Sequence, residues 1–219
     1  MTAVIDLFRR IEELGGPVVL ILIGLSIVTL TVMLYKSWQF AVAGVGRHRE
    51  LKAAVAAWDQ GSRGDARSHL ERSSSYLAPV VEMSMERGDG SASRLEAEAE
   101  ARSRKLERGL RFLDSVAQIA PLLGLFGTVL GMIQAFQALQ EAGAQVDPSI
   151  LAGGIWVALL TTAVGLAVAM PTALVLSWFE GRMDNERMIA ETAIQTILSP
   201  RDIDVTAAEP ASGQAYAEA

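Results

Sequence analysis

The chain has 219 residues, no cysteine, two histidines and a formal charge of −6, and 51% of it is apolar. Disulfides and thiolate metal centres are excluded, the widely separated His48 and His69 argue against a histidine metal site, and no basic stripe with interleaved aromatics points to nucleic acid. A positive mean hydropathy directs the reading to membrane segments. Residues 1–15 place Ile5, Phe8, Ile11 and Leu14 at every third position, the apolar edge of a short interfacial helix. From Leu14 to Tyr35 no Asp, Glu, Lys or Arg occurs. The run exceeds the ~20 residues that cross ~30 Å of hydrocarbon. Residues 16–40 are therefore read as a first membrane helix. Ala41-Val42-Ala43 resembles a signal-cleavage site, but the apolar stretch is longer than a signal core of about 7–15 residues. The acids Asp6, Glu12 and Glu13 also outweigh Arg9 and Arg10 before it. Gly24 and Ser26 stand alone among Leu, Ile and Val, which suits an outer, lipid-facing helix.

Residues 41–112 read as polar helices, broken at Gly61-Ser62-Arg63-Gly64 and again at Glu86 to Ser91. From Ser93 onward the pattern is strongly helical, with Glu98–Arg102 and Glu100–Arg104 as i,i+4 pairs. It predicts one helix from about residue 92 to about 138, which enters the second span at 113–140. The link 141–149 is short. The third span, 150–179, is expected to continue as a helix through 180–200, until Pro200 stops it. The tail 201–219 is low in apolar bulk and reads as disordered. Lys36, Arg47, Arg49 and Lys52 follow the first span, and Arg102, Arg104, Lys105, Arg108 and Arg111 precede the second, whereas the link EAGAQVDPS has no Lys or Arg. The positive-inside rule then puts 41–112 and the C-terminus in the cytoplasm, and the N-terminus and the link outside.

Glycine costs about 1 kcal/mol in a helix interior relative to alanine, yet PLLGLFGTVLGM at 121–132 contains three. In a bilayer, small residues let helix backbones approach. Gly124, Gly127 and Gly131 lead into Ala135 on the second span. Thr161, Gly165, Ala169, Ala173 and Ser177 recur every four residues on the third. These are read as helix-packing stripes. Pro121 and Pro171 sit near the cytoplasmic ends of their spans. Thr128 lies about two turns from the first and Thr162 about two and a half from the second, so the two hydroxyls share a depth near mid-membrane. Two roles are open to them: packing back on their own carbonyls, or lining a polar path. Both spans lack ionisable groups, with Asp114 only at the rim. A conducted proton would need a carboxylate from another chain.

The run Ala120-Pro-Leu-Leu-Gly-Leu-Phe-Gly-Thr-Val-Leu-Gly131, followed by Gly154-Ile-Trp-Val-Ala-Leu-Leu-Thr-Thr-Ala-Val-Gly-Leu-Ala-Val-Ala-Met-Pro171, resembles the MotA/TolQ/ExbB proton-channel family, with ExbB and TolQ the most similar branches. The resemblance implies an all-α membrane protein with three transmembrane helices and long cytoplasmic extensions, assembled as a homopentamer in the bacterial inner membrane. A membrane enzyme is not expected, for want of a nucleophile, base or metal set in any plausible site, and no cofactor is expected. The implied partners are a single-span ExbD/TolR-like protein with a membrane aspartate, a TonB/TolA-like protein, and lipid. By motif position, Thr128 and Thr162 match pore threonines facing that aspartate. Val157 departs from the pattern, because relatives usually carry glutamate there. An ExbB-like role in TonB-dependent import leads, with a TolQ-like role in envelope integrity or a non-conducting scaffold as alternatives.

Overall fold

The computed structural model describes residues 2–87, 92–141 and 148–200, with the side chains of 2–15, 87 and 150 excepted. The expected apolar edge of the N-terminal segment, most of the 141–149 link and the tail 201–219 lie outside what is described. Seven helices and no strands occur among the described residues: α1 (Thr2–Val42), α2 (Arg49–Asp59), α3 (Arg63–Glu71), α4 (Ala78–Arg87), α5 (Ala92–Glu107), α6 (Leu110–Glu141) and α7 (Pro148–Leu198). The chain divides into two compact units, Met1–Val42 with Ser103–Asn185, and Ala43–Arg102 with Glu186–Ala219.

Among the described residues, three helices are long and apolar enough to cross a membrane: Gly16–Val42, Leu110–Glu141 and Leu151–Leu198. The run of α1 is kinked at Gly16, where φ is 68°. Pro17 disfavours the helical region for the residue before it, and glycine alone enters the left-handed region without a Cβ penalty. Beyond the kink, Val18 and Leu22 of α1 pack with Val116 and Ala120 of α6 and Ala169 of α7. Phe40 meets the buried Phe179 edge-on at 4.9 Å. The rest of α1 exposes Ile27, Leu30, Leu34 and Trp38, a surface suited to hydrocarbon rather than water.

The sequence predicts an uninterrupted helix from about 92 to 138, and the structure corrects this. The helix ends at Glu107 and restarts at Leu110, with Gly109 between them at φ 94°. The cause is Lys36 of α1, only 3% exposed. Its Nζ donates to the Leu106 carbonyl at 2.9 Å and to Gln39 Oε1 at 2.8 Å. The last carbonyls of a helix lack partners, and a cation there also complements the helix dipole. A Cβ on Gly109 would come within 3.1 Å of Lys36 Cε. Gly109 is the one helix breaker in the segment before the second span begins, but the capping group comes from the first helix.

The second unit has an aliphatic core. Leu51 and Ala54 of α2, Leu70 of α3, Val80 and Val81 of α4 and Leu95 and Ala99 of α5 pack with Ala190, Ala193, Ile194 and Ile197 of α7. The α7 set repeats at helical spacing, so one face of the helix is buried. Trp58 Nε1 donates to the Ile197 carbonyl at 3.2 Å, and the Arg63 guanidinium stacks 3.5 Å over the Trp58 ring. Glu98 holds Arg102 at 2.9 Å, while Glu100 meets Arg187 of α7 at 3.3 Å.

Candidate functional site: the α6–α7 pair

Helices α6 and α7 run antiparallel, and the small residues of one face those of the other. An added Cβ on Gly131 would lie 3.2 Å from Ala158 Cβ, and one on Gly127 would lie 2.7 Å from Thr161 Cβ. On Gly124 it would come within 3.0 Å of the Thr161 carbonyl, and on Gly165 within 2.7 Å of the Ala120 carbonyl. On Gly154 it would overlap the Ala135 Cβ. Climbing α6 through Ala120, Gly124, Gly127, Gly131 and Ala135 therefore descends α7 through Ala169, Gly165, Thr161, Ala158 and Gly154. Each step of three or four residues keeps both positions on the shared face. A carbonyl of one helix touches the glycine Cα surface of the other, an approach that any side chain would prevent.

The hydroxyls fall into two groups. Thr161 is 1% exposed, and its Oγ1 lies 2.7 Å from the Ala158 carbonyl and 3.2 Å from the Gly124 carbonyl across the pair. Thr162 is half-buried, and its Oγ1 donates to the same Gly124 carbonyl over a long 3.4 Å. Thr128 is half-buried as well, and donates back to the Leu125 carbonyl at 2.6 Å. Pro121 is half-buried and Pro171 exposed, both inside continuous helices. Each removes one N–H and so leaves one carbonyl, four residues earlier, without its helical partner. Val157 is half-buried beside Ala158.

Around these groups the surface is apolar. Leu122, Leu125, Phe126, Val129 and Ile133 of α6 are exposed, as are Trp156, Leu159, Leu166 and Met170 of α7. No acid or base lies in α6 between Asp114 and Glu141, or in α7 before Glu180. Asp114 is exposed and accepts from Gln118 at 2.7 Å. The pair thus offers hydroxyls and freed carbonyls but no group of its own that exchanges a proton near neutral pH. No cluster of three or more metal-ligating side chains occurs among the described residues.

Sequence reasoning passed over one polar site. His48 and Glu186, in the second unit, form a buried pair at 2.5 Å. A signal for it existed: Glu186 falls on the same helical stripe as Met183, Ala190, Ala193 and Ile197, where only apolar residues are expected. In the same unit, His69 hydrogen-bonds the half-buried Glu50 at 2.9 Å, and that bond holds the Glu50 carboxyl below its usual range.

Residues 67–192 match the MotA/TolQ/ExbB proton channel family. The chain is 30% identical to the biopolymer transport protein ExbB of Salmonella typhimurium over 208 residues, 87% of this chain and 85% of that one. A shorter stretch of 63 residues is 48% identical to the biopolymer transport protein exbB1 of Vibrio cholerae, covering 29% of this chain and 28% of that one. Another, of 69 residues, is 45% identical to the Tol-Pal system protein TolQ of Haemophilus influenzae, covering 32% and 30%. The last two alignments thus span under a third of each relative. Taken with the three membrane-crossing helices and their glycine-packed pair, these likenesses show that the chain is a multi-pass membrane protein belonging to the MotA/TolQ/ExbB proton channel family.

Proposed function

We propose that the chain is an ExbB-like subunit of an inner-membrane motor, driven by the proton-motive force, that energises TonB-dependent import at the outer membrane. In this reading five copies form a ring, and α6 and α7 line its centre. A single-span ExbD-like partner inside the ring carries a membrane aspartate and passes force to a TonB-like protein. The charge distribution supports a cytoplasmic second unit and C-terminus. The observation that carries the reading is the helix pair itself: half-buried hydroxyls set among apolar residues, with no ionisable group in either span. Such a surface can solvate a proton-carrying carboxyl but cannot replace it, so the acid is supplied in trans.

Thr162 has the geometry for that work. Its 3.4 Å bond to the Gly124 carbonyl is weak, so its Oγ1–H turns readily toward a carboxylate, and its lone pairs accept from the protonated acid. Thr128 keeps its hydrogen on Leu125 and offers lone pairs. Thr161, with its 2.7 Å bond and full burial, stays with the packing. The extent of the likeness to the Salmonella ExbB, far longer than the TolQ stretch, favours import over envelope integrity.

The test is native mass spectrometry of the chain with and without an adjacent-gene single-span partner, joined to a Thr162→Val strain. Five copies that retain the partner, with driven import lost in the variant and assembly unchanged, are expected. A monomer or dimer indifferent to the partner, or wild-type import in the variant, would overturn the reading in favour of a packing scaffold.

A further inference from the structure

We propose that His48 and Glu186 form a proton-binding site in the second unit, which latches the segment after the first helix onto α7. Glu186 is 0% exposed and the His48 side chain 5%. His48 Nε2 stands 2.5 Å from Glu186 Oε1. Two lone pairs cannot face each other at that separation, so a proton lies between them. The Gly46 N–H donates to the same Oε1 at 2.8 Å and also lies 3.2 Å from His48 Nε2. Glu186 Oε2 is buried and has no hydrogen-bond partner. The second ring nitrogen, His48 Nδ1, lies 3.4 Å from Ser75 Oγ, which itself accepts from the Leu77 N–H at 3.2 Å.

The exchangeable proton is therefore the one on Nδ1. With it bound, the ring is an imidazolium, Nδ1–H points at Ser75 Oγ, and the buried pair is neutral overall. When it leaves to solvent, the Ser75 hydroxyl turns to donate to Nδ1, and Glu186 becomes a lone buried carboxylate with one oxygen unsatisfied. A buried charge without a counter-charge is costly, and the imidazolium that balanced Glu186 is then gone. No other ionic partner stands within ion-pair distance of either group among the described residues. Of the charges on neighbouring elements, Arg47 and Arg49 flank His48 in sequence, Arg187 is drawn to Glu100, and Glu50 to His69. None of them replaces the lost imidazolium charge within bonding reach.

What the latch holds is specific. Gly44 and Gly46 both take positive φ, 69° and 83°. A Cβ on Gly44 would overlap the Ser74 carbonyl. The Ala43 carbonyl accepts from the Tyr76 N–H at 3.3 Å. The Ala43–His48 turn is thus tied on one side to the 73–77 segment and on the other to α7 through Glu186. Loss of the proton loosens the second tie. The physiological meaning rests on the proposed cytoplasmic placement of this unit, where the site would read cytoplasmic pH. The chemistry stands without that placement.

The test is nitrogen-15 NMR of the full chain in lipid nanodiscs from about pH 5.5 to about 8.5, the range in which imidazoles change charge. With only two histidines, His69→Gln assigns both rings. The Gly46 amide is expected to shift in step with His48 Nδ1. Its protection from exchange, corrected for the intrinsic rate, should fall about tenfold as that proton leaves. In Glu186→Gln, which has no buried carboxylate to leave uncompensated, the protection of the Gly46 amide should no longer fall with rising pH. Should Glu186→Gln fail to fold, His48→Gln keeps an N–H donor toward Glu186 and should leave Gly46 weakly protected at every pH. A Gly46 amide indifferent to pH while His48 titrates, no His48 titration in this range, or an unchanged response in either variant would overturn the proposal. None of these outcomes touches the motor reading, which the import assay decides.

Discussion

In the α6–α7 pair the residues that meet are Gly, Ala and Thr, while the second unit is cored by Leu51, Leu77, Val80, Leu95 and Ile194 and also buries the His48–Glu186 pair. The two regions solve different problems. Among lipid tails, burying a leucine gains nothing over leaving it exposed, so contact must come from close backbone approach. Among water-exposed helices, apolar area is the driving force, at about 25 cal/mol per Å². Bulk is therefore fatal at the first interface and helpful in the second, whereas a buried charge is absent from the first and tolerated, with a partner, in the second.

The largest effect should come from inverting that rule. Gly127→Leu places a whole side chain where even a Cβ would lie 2.7 Å from Thr161. The helices must separate, and loss of the folded chain in mild detergent, read by size exclusion and thermal melting, is expected. A normally folded Gly127→Leu chain would break the comparison at its root. Next in size is His48→Ala, which leaves Glu186 buried without its cation. Removing one partner of a buried pair costs about 3–5 kcal/mol, read as a lower unfolding midpoint. A smaller loss, about 1 kcal/mol, is expected for Thr161→Val, which keeps the shape and deletes a bond to a neighbouring carbonyl. Thr162→Val, one position on, should leave stability unchanged and abolish only driven import, which separates the packing hydroxyl from the proposed pathway hydroxyl.

Glu50→Gln should have the smallest effect. The His69 bond holds the Glu50 carboxyl below its usual range. A group depressed by folding contributes stability above its unfolded range, and that contribution is lost as pH falls through its folded value. The variant should therefore match the wild type in acid and fall slightly behind near neutrality. A difference that grows on acidification would reverse the sign and discard the account.

How much of this could be read from residues alone depended on whether the cause was local. The three spans follow from runs without charge, and the glycine stripes follow from spacing, because a helix fixes which residues share a face. Which helix each stripe meets is a matter of pairing that a single sequence does not contain: Gly131 could have served another copy as readily as Ala158. The break at Gly109 was half legible: the glycine was visible as the one helix breaker before the second span, but its capping partner was not. A lone glycine does not by itself end a helix, and the lysine that stabilises the break is in the first helix. Glu186 was legible but unread, since its place on the apolar stripe of α7 is visible in the spacing.

That long-range cap has a temporal side. Lys36 and the Leu106 carbonyl are 70 positions apart. At synthesis rates of roughly 5–20 residues per second, some 4–14 s separate the emergence of the lysine from that of its acceptor. Throughout that interval the first helix carries an ammonium group satisfied only by Gln39 and by water or lipid headgroups. The cap that ties the Gly16–Val42 span to the helix ending at Glu107 is thus complete only once the chain has been made through Leu106.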